Sequence, residues 1–397
     1  MGSVHESGSS SALPFALLWL AGVSLRLTVL AVPPVIQLIR SELHLSGTQV
    51  GLLVTLPTAL FALAAMPGAM LAARLGPVPT LVGGLAVTAA GAALRAVVPG
   101  IVTLLAATAL MGAGIAVMQP TLPALVRRWL PERIGLATAV YSNGLLIGEI
   151  IPVALTATVV LPLVHGTWRV SLAAWSVPVL GTALVIAVAA PLIDRSSAGT
   201  TATSAVLIAR PQWKSSLTWL LGLMFGGIAV TYFATNAFLP AYLASRGRPD
   251  LTPAVLTAFN AGQLPAAFMM LAMAGRWQRR ASPFVVTGLL CLAAVVGMLA
   301  ATGAGIAAWA ALLGFAVSSA MVLALTLPVL LYPPEHVAAT SAAMFTISYA
   351  GAIAAGMVGG RAWDVSGDPR WAFAPVAASA ATIVGLALVL RARGYVR

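Results

Sequence analysis

Between Pro191 and Leu217 the chain reads DRSSAGTTATSAVLIARPQWKSS (residues 194–216), the longest polar stretch between apolar runs. Six apolar runs precede it, over roughly 14–38, 48–73, 78–98, 101–125, 135–162 and 168–192. Six follow, over roughly 216–243, 252–275, 283–302, 304–330, 337–362 and 371–391. Each is near or above the ~20 residues a helix needs to cross the hydrocarbon of a bilayer. The polar stretch therefore reads as a cytoplasmic linker, assigned to 193–215. It separates a first six-helix bundle over 14–192 from a second over 216–397, with a polar, disordered tail at 1–13. The expected class is an all-α integral membrane protein, with twelve transmembrane helices in two pseudo-symmetric bundles.

Composition supports the same class. Of 397 residues, 60% are hydrophobic and 8% charged, against roughly 25% charged in soluble domains. Mean hydropathy is +1.00. A globule in water could not hide that much apolar surface. A soluble enzyme, a disordered chain, a coiled coil and a nucleic-acid binder are thereby set aside. The runs do not alternate as barrel strands do, and helices satisfy their own backbone groups in lipid.

The net charge of +12 comes from basic residues in short caps between the runs. With the amino terminus inside, thirteen of them face the cytoplasm and six, Arg40, Arg169, Arg246, Arg248, Arg361 and Arg370, face outward. That bias predicts both termini in the cytoplasm and an even number of spans in the cytoplasmic (inner) membrane. The single cysteine, Cys291, permits neither an intrachain disulfide nor a cysteine metal cluster.

The two halves match each other. Placing residue n over n+206 puts Pro34 on Pro240, Arg40 on Arg246, Leu45 on Leu251, Ser46 on Thr252 and Arg74 on Arg280. Further on, Thr121-Leu122-Pro123 matches Thr326-Leu327-Pro328, and Pro131-Glu132-Arg133 matches Pro334-Glu335-His336. Two parallel six-helix repeats about a central loop are an architecture of secondary transporters, with solute bound near the midplane.

Several stretches carry a more specific likeness. They are Ser24-Leu25-Arg26-Leu27-Thr28 through Val32-Pro33-Pro34, and the Gly91–Arg95 end of the third span. A third is MGAGIAVMQPTLP at 111–123, with Arg127-Arg128 and then LPERIG at 130–135; Trp168-Arg169 opens the sixth span. In these the chain resembles the cyanate and 2-nitroimidazole porter (CynX/NimT) family of the major facilitator superfamily. The superfamily signature after the second span is reduced to Gly68, Arg74 and Gly76, and the Asn-x-Arg-Pro usual in the first span is Ser24-Leu25-Arg26-Leu27 here. The resemblance implies transport of a small anionic or polar nitrogen-containing solute.

Charged residues inside spans then become candidate site residues. A central arginine costs ~2.5–3.5 kcal/mol to insert, so Arg26 is expected either to bind an anionic group through its planar guanidinium fork or to form an ion pair. Glu149, in the fifth span, is the expected partner and the candidate for proton coupling. Apolar surroundings favour its neutral form, whereas pairing with Arg26 favours the carboxylate. Arg95 is expected to snorkel to headgroups, and tryptophans near span ends to form an interfacial belt.

Uncharged candidates for solute binding are Gln119, Tyr141, Tyr232, Asn236, Asn260, Gln263 and Tyr349. Interhelical hydrogen bonding is the competing role for each. At the repeat offset, Tyr232 matches Arg26, so the charge is one-sided. No HExxH, Walker A or G-x-S-x-G motif is present, so the chain is not expected to be an enzyme or to need a cofactor or metal. The expected partners are a small, anionic solute, the lipid bilayer and protons, with no nucleic acid and a monomeric chain. The rival reading is a drug or nitroimidazole efflux carrier for neutral or amphiphilic compounds.

Overall fold

The computed structural model describes residues 12–196, 213–272 and 280–397. The tail before residue 12, most of the expected linker and Trp277 lie outside them. In order the helices are α1 (Ala12–Leu30), α2 (Ile36–Leu43), α3 (Gly47–Leu75), α4 (Pro77–Leu94), α5 (Ile101–Met118), α6 (Thr121–Trp129), α7 (Ile134–Leu155), α8 (Leu161–Leu163), α9 (Trp168–Ala174), α10 (Ser176–Ser196), α11 (Ser216–Ser245), α12 (Thr252–Ala261), α13 (Gln263–Ala272), α14 (Ser282–Ala300), α15 (Ala304–Leu331), α16 (Pro334–Ser366) and α17 (Ala374–Ala392). There is no strand among the described residues. Ten helical segments are long and apolar enough to cross a membrane. The other two expected spans are occupied by α3 and by α12 with α13.

Breaks in the helices have identifiable causes. Pro33 and Pro34 lack backbone donors, and α1 gives way to a 3-10 turn at Pro33–Val35 before α2 resumes. Pro152 sits inside α7, and one turn later the helix widens into a π-turn at Thr156–Val160, a common local response to a disturbed ladder.

The described chain parts into two compact units. The first holds 12–31, 63–152 and 159–196. In it α4 packs on α5 and α10, and α1 packs on α10. The second holds 32–62, 153–158 and the residues from 213 onward. There α11 is the central helix, buried without interruption from Met224 to Leu243 and packed against α16 and α17. A helix apolar on all sides belongs inside a bundle.

The tryptophan belt is only partly realised. Trp213 and Trp371 are exposed, but Trp129, Trp168 and Trp363 are buried. Apolar ring area next to a neighbouring helix is better used in packing than at an interface.

Candidate functional site

In the first unit, α1 and α7 touch backbone to backbone. A Cβ on Gly148 would lie 2.3 Å from the Val23 carbonyl oxygen, and one on Gly144 would lie 2.4 Å from that of Trp19. Only glycine permits this approach, the small-residue packing common in membrane bundles. Trp19 Nε1 donates to Asn143 Oδ1 at 3.0 Å across the same seam. The register fixed in this way brings Arg26 and Glu149 together, with Nε 3.3 Å from Oε1. Their side chains are 15% and 7% exposed. On another side of α1, Ser24 Oγ donates to Thr182 Oγ1 of α10 at 3.1 Å. Gln119, just past the end of α5, and Tyr141 in α7 are half-buried in this unit.

Arg95 corrects the sequence reading. It does not snorkel: it is 0% exposed, and its Nη2 donates to the Thr28 carbonyl at 3.0 Å. Thr28 lies in the last turn of α1, where carbonyls lack helical partners and the dipole is negative. A guanidinium there caps α1 from the end of α4. The expectation of a headgroup contact failed because a span-end arginine has two acceptors to choose from, lipid phosphate or a neighbouring helix terminus.

In the second unit the neutral candidates cluster. Tyr232 Oη donates to Asn260 Oδ1 at 3.2 Å, Asn260 Nδ2 donates to Asn236 Oδ1 at 3.0 Å and to the Leu256 carbonyl at 2.9 Å, and Asn236 Nδ2 donates to the Tyr232 carbonyl at 3.1 Å. Gln263 Nε2 reaches Asn260 Oδ1 at 3.5 Å. All four residues are buried. The network ties α11 to the α12–α13 segment, and every buried amide in it has partners.

Tyr349 of α16 stands apart from that network in an aromatic row. It stacks on Phe345 (centroids 5.9 Å, planes 17° apart) and meets Phe61 edge-on at 5.7 Å, while Phe345 meets Phe225 edge-on at 5.2 Å. Sequence reading missed this row because its members come from three separate helices. Phe345 and Tyr349, four apart on one face, were the available signal. Single hydroxyls mostly back-bond within their helices, as Ser319 to Phe315 and Thr346 to Ala342 do. Among the described residues no group of three or more His, Cys, Asp or Glu could hold a metal ion.

The all-helical membrane fold is one that known proteins share. Residues 18–356 match the Major Facilitator Superfamily. A 2-nitroimidazole transporter of Escherichia coli (strain K12) is 30% identical over 348 residues, 86% of each chain. The cyanate transport protein CynX of the same organism is 27% identical over 266 residues, 66% of this chain and 67% of that one. Among solved structures, an inward-facing bacterial homolog of the human lysosomal transporter Spinster superposes with a TM-score of 0.71 at 16% identity, covering 98% of this chain and 97% of the other. The inward-open xylose transporter XylE from E. coli also gives 0.71, at 12% identity and 95% of each chain. The chain belongs to the major facilitator superfamily, as a multi-pass membrane transporter of the cyanate and 2-nitroimidazole porter type.

Proposed function

We propose that this transporter carries a small anionic solute, cyanate- or carboxylate-like, together with a proton, by alternating access in the cytoplasmic membrane. Arg26 is the anion ligand and Glu149 the proton carrier. The observation that carries the reading is the 3.3 Å pair of these two side chains between α1 and α7. Without solute, each charge answers the other. A solute anion that takes the guanidinium leaves Glu149 a carboxylate without its counter-charge in an apolar bundle. Such a group is neutralised at least cost by taking up a proton. The loaded protein then holds Arg26 as a cation, the solute as an anion and Glu149 as a neutral acid. It has the same net charge as the empty protein, so the loaded state adds no charge to the low-dielectric interior. Release of the solute returns Glu149 to Arg26 and expels the proton. Gln119 and Tyr141, in the same unit as Arg26, are assigned to the uncharged part of the solute. Both termini lie in the cytoplasm on this reading, as the thirteen-to-six distribution of basic residues supports.

A second reading is favoured by the aromatic row Phe61–Tyr349–Phe345–Phe225. Flat, neutral heterocycles stack on such rings, and one relative is named for 2-nitroimidazole. Uptake of cyanate and of 2-nitroimidazole into proteoliposomes decides between the two. Arg26→Ala should abolish cyanate uptake in correctly inserted protein. Undiminished cyanate uptake by that variant would discard the anion site, and 2-nitroimidazole movement insensitive to Arg26 would favour the second reading.

A further inference from the structure

The second unit contains a helix end that is capped from a remote part of the chain. An α-helix begins with four backbone N–H groups that lack helical partners. In α3 they are fully accounted for. Val50 N donates to the Ser46 carbonyl at 3.0 Å, as the helix ladder requires. Ser46 and Gln49 form a reciprocal capping pair, Ser46 N to Gln49 Oε1 at 2.9 Å and Gln49 N to Ser46 Oγ at 3.2 Å. The remaining two donors, Gly47 N and Thr48 N, go to Asp364 of α16, at 2.5 Å to Oδ1 and 3.0 Å to Oδ2. Thr48 Oγ1 adds a third bond to Oδ2 at 2.7 Å.

The contact continues below the cap as a ladder of small residues. Gly47, Gly51 and Thr55 on α3 face Gly356, Gly360 and Asp364 on α16, each series at a spacing of four. A Cβ on Gly51 would lie 2.2 Å from the Gly356 carbonyl oxygen, and one on Gly360 would lie 2.3 Å from that of Gly47. Beside the cap, Arg40 lays its guanidinium over the buried Trp363 ring at 4.3 Å, while its Nε donates to the Leu45 carbonyl at 3.2 Å.

We infer that Asp364 is a latch: its bonds to the start of α3 hold this face shut, and they release when the face opens in the transport cycle. By sequence repeat α3 belongs to the first six helices, yet its first half packs with the last ones. A seam of that kind must part if the two repeats move. Its chemistry suits repeated parting. The ladder meets largely backbone to backbone, and the large side chain that has to slide when it parts is the Trp363 ring against Gly47. Asp364 is exposed at the end of α16, and water can take over both the carboxylate and the freed N–H groups. The interaction of a carboxylate with a helix N-terminus then sets how often the face opens. The α1–α7 seam contrasts with it, being pinned by a part-buried indole–amide bond and by an ion pair whose side chains are 15% and 7% exposed.

The inference rests on alternating access and on the inside amino terminus proposed above, but not on any solute. The test uses full-length protein in membranes with the native thiol removed (Cys291→Ser) and a reporter thiol at Thr55, which is fully buried under the latch. The rate at which a membrane-impermeant maleimide labels Thr55→Cys from outside reads opening directly. Asp364→Ala is expected to raise that rate about tenfold, the factor for losing charge-assisted hydrogen bonds. An unchanged rate in a variant of normal expression and thermal stability overturns the latch. Should Asp364→Ala not fold, the pair Thr48→Cys with Asp364→Cys serves, with the same reporter and with labelling at residue 55 read separately by peptide mass mapping, since the reduced pair also reacts with maleimide. Oxidation should suppress labelling and reduction restore it, whereas equal labelling in both states also overturns the inference. Because the assay contains no solute, an incorrect anion assignment leaves its outcome untouched.

Discussion

Residues 26 and 232 occupy matching positions in the two repeats, and their surroundings differ in kind. Arg26 meets one opposite charge across a glycine seam and keeps some exposure. Tyr232 is buried in a neutral network whose members satisfy one another. A charge pair between helices has two useful states, closed on itself or open to a ligand, because either partner alone is strongly unfavourable. A neutral network with all its bonds made has only one good state. The comparison teaches that matching positions of a duplicated chain can take on different chemistry, an ion pair in one half and a self-satisfied neutral network in the other; on the proposed reading only the first is exchangeable.

The most forceful way to break this comparison is Arg26→Ala. It removes the proposed anion ligand and takes the Arg26 charge away from Glu149, and breaking a buried pair from one side costs ~3–5 kcal/mol. Anion uptake should fall by two orders of magnitude or more, and thermal stability should drop. Adding Glu149→Gln should restore most of the stability and none of the uptake. If stability and uptake recover together, Arg26 serves packing alone.

Glu149→Gln by itself sharpens the proton side. Glutamine fills the same space but cannot carry a proton. Uptake driven by a pH gradient should disappear, while exchange of labelled for unlabelled solute, which needs no net proton movement, should continue. Wild-type uptake should increase as the side from which solute enters is acidified, and the variant should not respond. A variant that keeps the wild-type pH response assigns the proton elsewhere.

Asn260→Ala strikes the neutral network. Asn260 is the hub of the network, so its loss takes a hydrogen-bond partner from Tyr232 Oη and from Asn236 Oδ1 together. Unsatisfied buried groups cost ~1–3 kcal/mol, although measured interhelical bonds in membranes average ~0.6 kcal/mol. A loss of ~1–2 kcal/mol is expected, visible as a lower unfolding temperature in detergent, with the pH response of uptake retained. Loss of pH dependence here would mean that exchange is not confined to the ion pair.

Much of the architecture was legible in the chain itself. Hydropathy located the ten helical segments long enough to cross a membrane, since lipid forces each backbone group into a helix and the apolar run has to match its thickness. The pairing of Arg26 with Glu149 was also accessible, as an isolated charge in a span calls for its opposite. What stayed hidden has a common cause: it depends on which helices are neighbours. The cap on Thr28 by Arg95, the Asp364 bonds to α3 and the aromatic row each join distant segments. Local sequence shows Gly47, Gly51, Gly356 and Gly360 at helical spacing but cannot say that these two ladders face each other. Asp364 stands near the end of a span, and only the fold reveals that it completes a helix start more than 300 residues away.

Tyr232→Phe is the gentlest challenge and the most exacting one. It deletes one hydroxyl from the position that matches Arg26 and leaves the ring contacts with Phe233 and Phe259 in place. Asn260 Oδ1 loses a donor at 3.2 Å but keeps Gln263 Nε2 at 3.5 Å, so no amide is wholly orphaned. The expected stability change is ~0.5 kcal/mol, in the range measured for single interhelical bonds, read by paired thermal melts with wild type. If the hydroxyl belongs to the neutral network alone, solute affinity should change by less than about threefold, since ~0.5 kcal/mol is worth a factor near two. A much larger loss of affinity, with the melt unchanged, would mean that Tyr232 leaves Asn260 to bind solute. The second half would then hold an exchangeable contact of its own, and the contrast with Arg26 would be one of strength rather than of kind.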